Sequence, residues 1–300
     1  MITLPASIPQ LAWKPLLDDA TWSRGPNYVA LRGQTVDVYP HFHDQNGTVS
    51  KLFDAFHSNL LGNDRVVWLY LPASYGENTR ATYPVLYMHD GQNLFDPSAP
   101  WGGWHVDDTL NAAGEDGSIR ELIVVAPENA GTKREWEYTP DYDMSEHDGG
   151  GGDLYLRFLV EELKPQVDAM LRTRPARATT GVLGSSLGGL ISAYAGVTKA
   201  DTFGIVGAMS PSTWWSDDVI IADVKGMMPS PRPDRVYVDY GSGTDDGEDT
   251  SLLVQAYQQI GYVEGAGFHS YIQPGGEHQE NYWAMRLPGA LQFLFGPRTP

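Results

Sequence analysis

Between residues 84 and 295, short apolar runs alternate with longer amphipathic ones, and this constrains the fold more than any other feature of the chain. Buried-strand candidates are Pro84–Met88, Leu122–Ala126, Thr179–Leu183, Ile205–Ala208, Arg235–Val238 and Phe268–Ile272, each bounded by Gly, Asp, Pro or Ser. Helical patterning falls between and after them at Leu154–Met170, Leu187–Val197, Ser251–Ile260 and Glu280–Phe295. Parallel strands need crossover connections, and helices are the usual ones, so the pattern predicts an α/β protein with a mostly parallel central sheet covered on both faces. Lys51–His57 and Arg65–Leu71 read as a pair of strands that closes an antiparallel N-terminal edge. Residues 1–47, rich in Trp, Pro and Tyr, form a lead-in extension packed on the core, and 48–300 form the main domain.

Composition removes several functional classes. The 300 residues are 41% hydrophobic and 19% charged, enough apolar material for a sizeable core. A formal charge of −18 repels phosphate backbones, which argues against a nucleic-acid partner. The absence of cysteine excludes disulfides, zinc ribbons and a thiol nucleophile. No apolar run approaches the ~20 residues of a membrane span. Met1-Ile2-Thr3-Leu4-Pro5 shows neither a basic start nor an apolar signal core. The expectation is a protein that is cytoplasmic by default, or secreted or periplasmic if a signal has been removed.

In open α/β sheets the chemistry sits beyond the carboxyl ends of the strands. Gly184-Ser185-Ser186-Leu187-Gly188 fits G-x-S-x-G with Ser186 at its centre, and Ser185 does not fit. The pattern alone is weak, since 33 Gly and 18 Ser give about 0.2 chance matches in such a chain. Its context is stronger: an apolar strand candidate precedes it and a helical run follows, the strand–turn–helix setting of a nucleophile elbow. A serine hydroxyl needs a base. Of eight histidines, only His278 lies in a Gly-rich turn between the last strand and the terminal helix. His89 and His105 lie in the first half of the chain, and the His41/His43 pair lacks a third ligand, so no metal site is expected. His57, His147 and His269 read as structural or solvent-facing.

The acid should follow strand Arg235–Val238, giving the order Ser, Asp, His. Asp239 belongs to the strand end, whereas Asp245 and Asp246 lie in the loop and can reach an imidazole; Asp246 is favoured. The turn His89-Asp90-Gly91-Gln92 would aim the Gln92 backbone N–H above Ser186, joined by the N–H of Leu187 as an oxyanion hole. Aromatics in loops near this end, Trp136, Tyr138, Trp214, Trp215 and Trp283, are candidates either for stacking on an aryl or sugar ring or for core packing. The acidic stretch 141–148, with the glycines that follow, fails the calcium-loop spacing and reads as a mobile loop beside the site.

The segments PVLYMHDGQNLFD, REWEYTP, LGSSLGG and GGEHQENYWAMRLP, taken in this order, resemble the bacterial putative-esterase family. That family includes enterochelin, feruloyl and acetyl-xylan esterases, S-formylglutathione hydrolase and mycolyltransferases. The resemblance covers roughly residues 50–296. It implies an α/β-hydrolase fold, Ser186 and His278 as nucleophile and base, Asp246 or Asp245 as acid, and an oxyanion hole from Gln92 and Leu187. The expected function is a cofactor-free serine carboxylic-ester hydrolase for a small-molecule ester, acting through an acyl-enzyme. Acyl transfer by the same residues, or carbohydrate binding on a hydrolase scaffold, are the rival readings.

Overall fold

The protein is described by a computed structural model that covers residues 9–99, 101–227, 230–245 and 247–297. The apolar runs become β1 (Thr48–Ser58), β2 (Asn63–Leu71), β3 (Val85–Met88), β4 (Ile123–Pro127), β5 (Thr180–Ser186), β6 (Ile205–Pro211), β7 (Arg235–Gly241) and β8 (Phe268–Gln273). They form one eight-stranded sheet in the order β8-β7-β6-β5-β3-β4-β2-β1. Strands β3 to β8 are parallel to their neighbours within this set. At the far edge β2 runs antiparallel to β4, and β1 antiparallel to β2. This is the α/β-hydrolase architecture with the antiparallel N-terminal edge expected from the sequence.

Side-chain alternation along each central strand feeds two cores. Val85 and Tyr87 of β3 join one apolar cluster with Val182, Val236 and Val238, while Leu86 and Met88 join the other with Leu183 and Tyr237. The first core is covered by α2, a run made of Gly152–Arg157, a π-helical Phe158–Leu163 and Lys164–Met170, and by α3 (Leu187–Thr198). The second is covered by α1 (Val106–Asp116) and the terminal helix Glu280–Phe295. Each fully buried Leu or Val contributes roughly 1.5–3 kcal/mol of burial, so both faces are needed to offset chain entropy.

Between these lie α4 (Trp215–Met227) and α5 (Gly247–Gln259), and the terminal helix is α6. Helices α1 and α4 were not expected. The α1 apolar positions Val106, Leu110 and Ala113 make a thin stripe among acidic residues. Three left-handed residues, Ser216, Asp217 and Asp218, interrupt α4 near its start. The lead-in contains two short antiparallel pairs, Gln10–Trp13 with Tyr28–Leu31 and Leu16–Leu17 with Thr21–Trp22. It is tied to the body where Asn78 Nδ2 donates to Tyr39 O at 2.7 Å and Glu77 accepts the Phe42 N–H at 2.8 Å. Among the described residues no helix is long and apolar enough to cross a membrane.

Candidate active site

Strand β5 ends at Ser186, and α3 starts at the next residue. Ser186 has φ 58° and ψ −128°, a backbone state that L residues avoid and that costs of order 1–3 kcal/mol. The register of β5 against β6 also slips between Ser185 and Ser186. Close packing makes the turn possible: a Cβ on Gly184 would stand 2.8 Å from the Gly188 carbonyl carbon and oxygen. The turn leaves Ser186 half-buried at the amino end of α3, where unsatisfied N–H groups and the helix dipole favour negative charge. Its hydroxyl lies 3.3 Å from Ser212 Oγ, and the Ser212 N–H donates to Ser186 O at 3.1 Å.

His278 comes from the loop between β8 and α6 and lines the same cavity as Ser186. Its Nδ1 is 2.8 Å from Asp245 Oδ1, and its ring meets the Trp283 ring edge-on at 5.0 Å. The loops after β7 and β8 approach so closely that a Cβ on Gly241 would sit 2.2 Å from Gly276 O. Asp245 is 2% exposed. Burial alone would raise its carboxyl, but hydrogen bonds from His278, Ser210 and the Gly241 amide hold it below its ordinary value. Among the described residues the carboxylate at His278 is that of Asp245; the favoured Asp246 lies outside the described residues. Asp239, at the end of β7, points the other way, onto Tyr237 and Arg286. Burial pushes it up to about 6, partly offset by Arg286.

After β3 the chain makes a short 3₁₀ turn, Gly91–Asn93, entered through Asp90 at φ 56°. The Asn93 and Leu94 amides turn back onto Asp90 O and Gly91 O, and neither bond uses the Gln92 N–H. Asp90 is clamped by Arg134, Nε to Oδ1 at 2.8 Å and Nη2 to Oδ2 at 2.9 Å, and by Asn129 Nδ2 at 2.7 Å. Burial works to raise the Asp90 carboxyl, yet the Arg134 guanidinium keeps it below the ordinary range. His89, just before it, is buried with Nδ1 at 2.9 Å from Tyr155 OH. Burial lowers it to about 4, so it is a neutral structural imidazole at physiological pH.

The cavity over Ser186 and His278 measures about 650 Å³. Leu94, Trp101, Trp104 and Trp283 supply apolar lining, and Asn129, Arg134, Gln279, Glu280 and Asn281 supply polar lining. Of the five aromatics singled out in the sequence, Trp283 lines it. Tyr138 is fully buried and accepts the Asp90 N–H at 3.2 Å, so it supports the turn and does not face a substrate. Trp215 is buried and donates its indole N–H to Asp141 O at 2.9 Å. Trp136 packs its ring against the Gly151 backbone, and Trp214 stacks beside Trp215; neither lines the cavity.

Trp101 and Trp104 were missed, although Trp101-Gly102-Gly103-Trp104 stands in the loop after a parallel strand, where sites form. Segment 141–148 is no free loop: Tyr142–Asp143 pairs with Asp148–Gly149, and the Asp143 carboxylate accepts from Ser145, Glu146 and Ser216. Among the described residues no group of three or more His, Asp or Glu side chains could hold a metal ion.

The family model described as "Putative esterase" matches residues 58–294. The chain is 28% identical over 253 residues to the uncharacterized protein YbbA of Bacillus subtilis, covering 78% of this chain and 94% of that one. It is 24% identical over 282 residues to an endo-1,4-beta-xylanase/feruloyl esterase of Xylanibacter ruminicola, covering 91% of this chain but 35% of that protein. It is 25% identical over 283 residues to an iron(III) salmochelin esterase of Escherichia coli, covering 87% and 62%. Two solved structures share the fold, each with a TM-score of 0.67 and 21% identity. They are the enterobactin esterase FES of Shigella flexneri, covering 82% of this chain and 58% of that one, and the ferulic acid esterase AmCE1/Fae1A of Anaeromyces mucronatus, covering 84% and 92%.

Proposed function

The chain belongs to this esterase family and is a carboxylic ester hydrolase; from that premise we propose that it acts through a Ser186–His278–Asp245 triad and a covalent acyl-enzyme. Ser186 Oγ attacks the ester carbonyl as His278 Nε2 takes its proton. Asp245 Oδ1 holds the Nδ1–H tautomer and stabilises the imidazolium, and the N–H groups of Gln92 and Leu187 receive the developing oxyanion. His278 then protonates the departing alcohol, and a water activated by the same imidazole cleaves the acyl-enzyme. The observation that carries this reading is the left-handed serine at the strand–helix turn, in one cavity with an imidazole bonded at 2.8 Å to a buried carboxylate. For attack the serine hydroxyl has to leave Ser212 and turn toward His278.

The substrate is an aryl or sugar ester in this reading. Tryptophans offer faces for a ring, and side-chain amides offer paired donors and acceptors for hydroxyls. The relative named for feruloyl-ester cleavage supports the aryl class. A fluorophosphonate probe should label Ser186, and Ser186→Ala should lower kcat on p-nitrophenyl acetate by about 10⁴–10⁶ in a folded protein. Labelling at another serine, or comparable loss in Ser185→Ala, would sink the assignment. A panel of p-nitrophenyl, feruloyl and acetylated-sugar esters separates the substrate classes.

A further inference from the structure

Ser210 stands near the carboxyl end of β6 at φ 38°, fully buried among charged partners. Its hydroxyl accepts from Trp283 Nε1 at 2.9 Å and from Arg286 Nη2 at 2.6 Å. An indole N–H and a guanidinium can only donate, and a hydroxyl has two lone pairs and one proton. With both lone pairs engaged, the proton points to its remaining partner, Asp245 Oδ2, at 2.7 Å. The Gly241 N–H donates to that same oxygen. Oδ2 is therefore held by two fixed donors, and Oδ1 is left for His278 Nδ1.

The surroundings make this arrangement consequential. Arg286 Nη2 lies only 3.6 Å from Asp245 Oδ2, close enough to compete for the carboxylate. It is restrained by Asp239, whose Oδ2 is 3.0 Å from Arg286 Nε, and by Gln273 Oε1 at 2.9 Å from Nη1. Asp239 is itself bound by Tyr237 OH at 2.9 Å and the Ser210 N–H at 3.2 Å. One cation thus sits between two buried carboxylates, with the Ser210 hydroxyl inserted on the Asp245 side.

We propose that Ser210 is a positioning residue for ester hydrolysis: its one proton, directed by Arg286 and Trp283, fixes which Asp245 oxygen meets His278 and keeps the guanidinium from capturing that carboxylate. This rests on the triad reading given above. It assigns Ser210 no contact with substrate.

Ser210→Gly and Ser210→Ala test it with p-nitrophenyl acetate. Glycine suits the left-handed φ, so Ser210→Gly removes the hydroxyl without adding backbone strain. Both variants should lose about 10–100-fold in kcat, the range for one hydrogen bond to a charged group, with KM within about twofold. The low-field proton resonance of the His278–Asp245 bond should broaden or move upfield, which a merely loosened fold would not do selectively. Wild-type kcat with an unmoved resonance in folded Ser210→Gly overturns the proposal. Asp245→Asn separates the two levels. Abolished turnover there beside unchanged Ser210→Gly means this inference alone fails. Retained turnover there means the triad reading fails and takes this proposal with it.

Discussion

Acid should destabilise this protein through His89, by an amount that can be worked out from its site. The imidazole is 2% exposed, with Nδ1 on Tyr155 OH and Nε2 buried without a partner among the described residues. Burial lowers its folded value to about 4 from the ordinary imidazole value of about 6.5, with Asp90 opposing that change and Arg134 adding to it. A depressed value means that the stabilising difference is present above 6.5 and is lost as pH falls through 4. At pH 5 the unfolded imidazole is almost fully protonated and the folded one about a tenth so, a loss of about 2 kcal/mol relative to pH 7.5. Asp239 runs the other way: its value raised to about 6 contributes stability at low pH that disappears as pH rises through 6.

The wild-type curve mixes these opposed slopes, so the informative quantity is a difference. His89→Asn keeps an amide nitrogen near the position of Nδ1, able to bond Tyr155, and does not titrate in this range. Urea unfolding at pH 7.5 and 5.0 should show the wild type losing about 2 kcal/mol more than His89→Asn. Parallel pH dependence of the two proteins would refute the argument. A Cβ on Gly184 would lie 2.8 Å from His89 Cδ2, so this imidazole packs directly beneath the turn that carries Ser186.

Three further outcomes are expected. Asp245→Asn should lower kcat by about 10³–10⁴ while Asp246→Asn stays within a few-fold, and equal losses would contradict the assignment of the acid. Gly184→Ala must displace the Gly188 backbone, which its Cβ would meet at 2.8 Å; kcat should fall at least 100-fold with a melting temperature lower by only a few degrees. Trp101→Ala, at a residue 69% exposed, should leave stability within about 0.5 kcal/mol but raise KM for a feruloyl ester about tenfold, with acetyl ester turnover unchanged.

Residue type was readable from sequence wherever the local backbone or the two-sided burial of a strand demanded it. Pro84–Met88 lies within a residue of β3, and Thr179–Leu183 starts one residue before β5 but stops three short of its end at Ser186, because a parallel strand buried on both faces is written almost entirely in apolar and small residues. Ser186 was legible for a related reason: a serine in a left-handed turn tight against a helix needs Gly184 and Gly188 beside it. Helices with thin apolar stripes were not legible. Val106, Leu110 and Ala113 are too few among Asp107, Asp108, Glu115 and Asp116 to announce α1.

The acid shows where such reading stops. Asp245 and Asp246 are the same residue type one position apart in a loop, with no periodicity to set which one turns inward. What distinguishes Asp245 comes from elsewhere in the chain: the Gly241 amide, the Ser210 hydroxyl on β6 and the Arg286 guanidinium on α6. The aromatics follow the same rule. Tyr138 and Trp283 were both singled out as aromatics near the site, Tyr138 at the end of a short helical turn after β4 and Trp283 in the first turn of α6. Tyr138 is drawn under the Asp90 turn by a hydrogen bond to its backbone, whereas Trp283 is turned to the cavity by an indole N–H that must reach Ser210. A side chain's facing is set by the partner its polar atom finds, and those partners lie 48 and 73 residues away. A pattern that a strand or a turn imposes can be read locally, but a choice made by a distant hydrogen bond has to be seen in the fold.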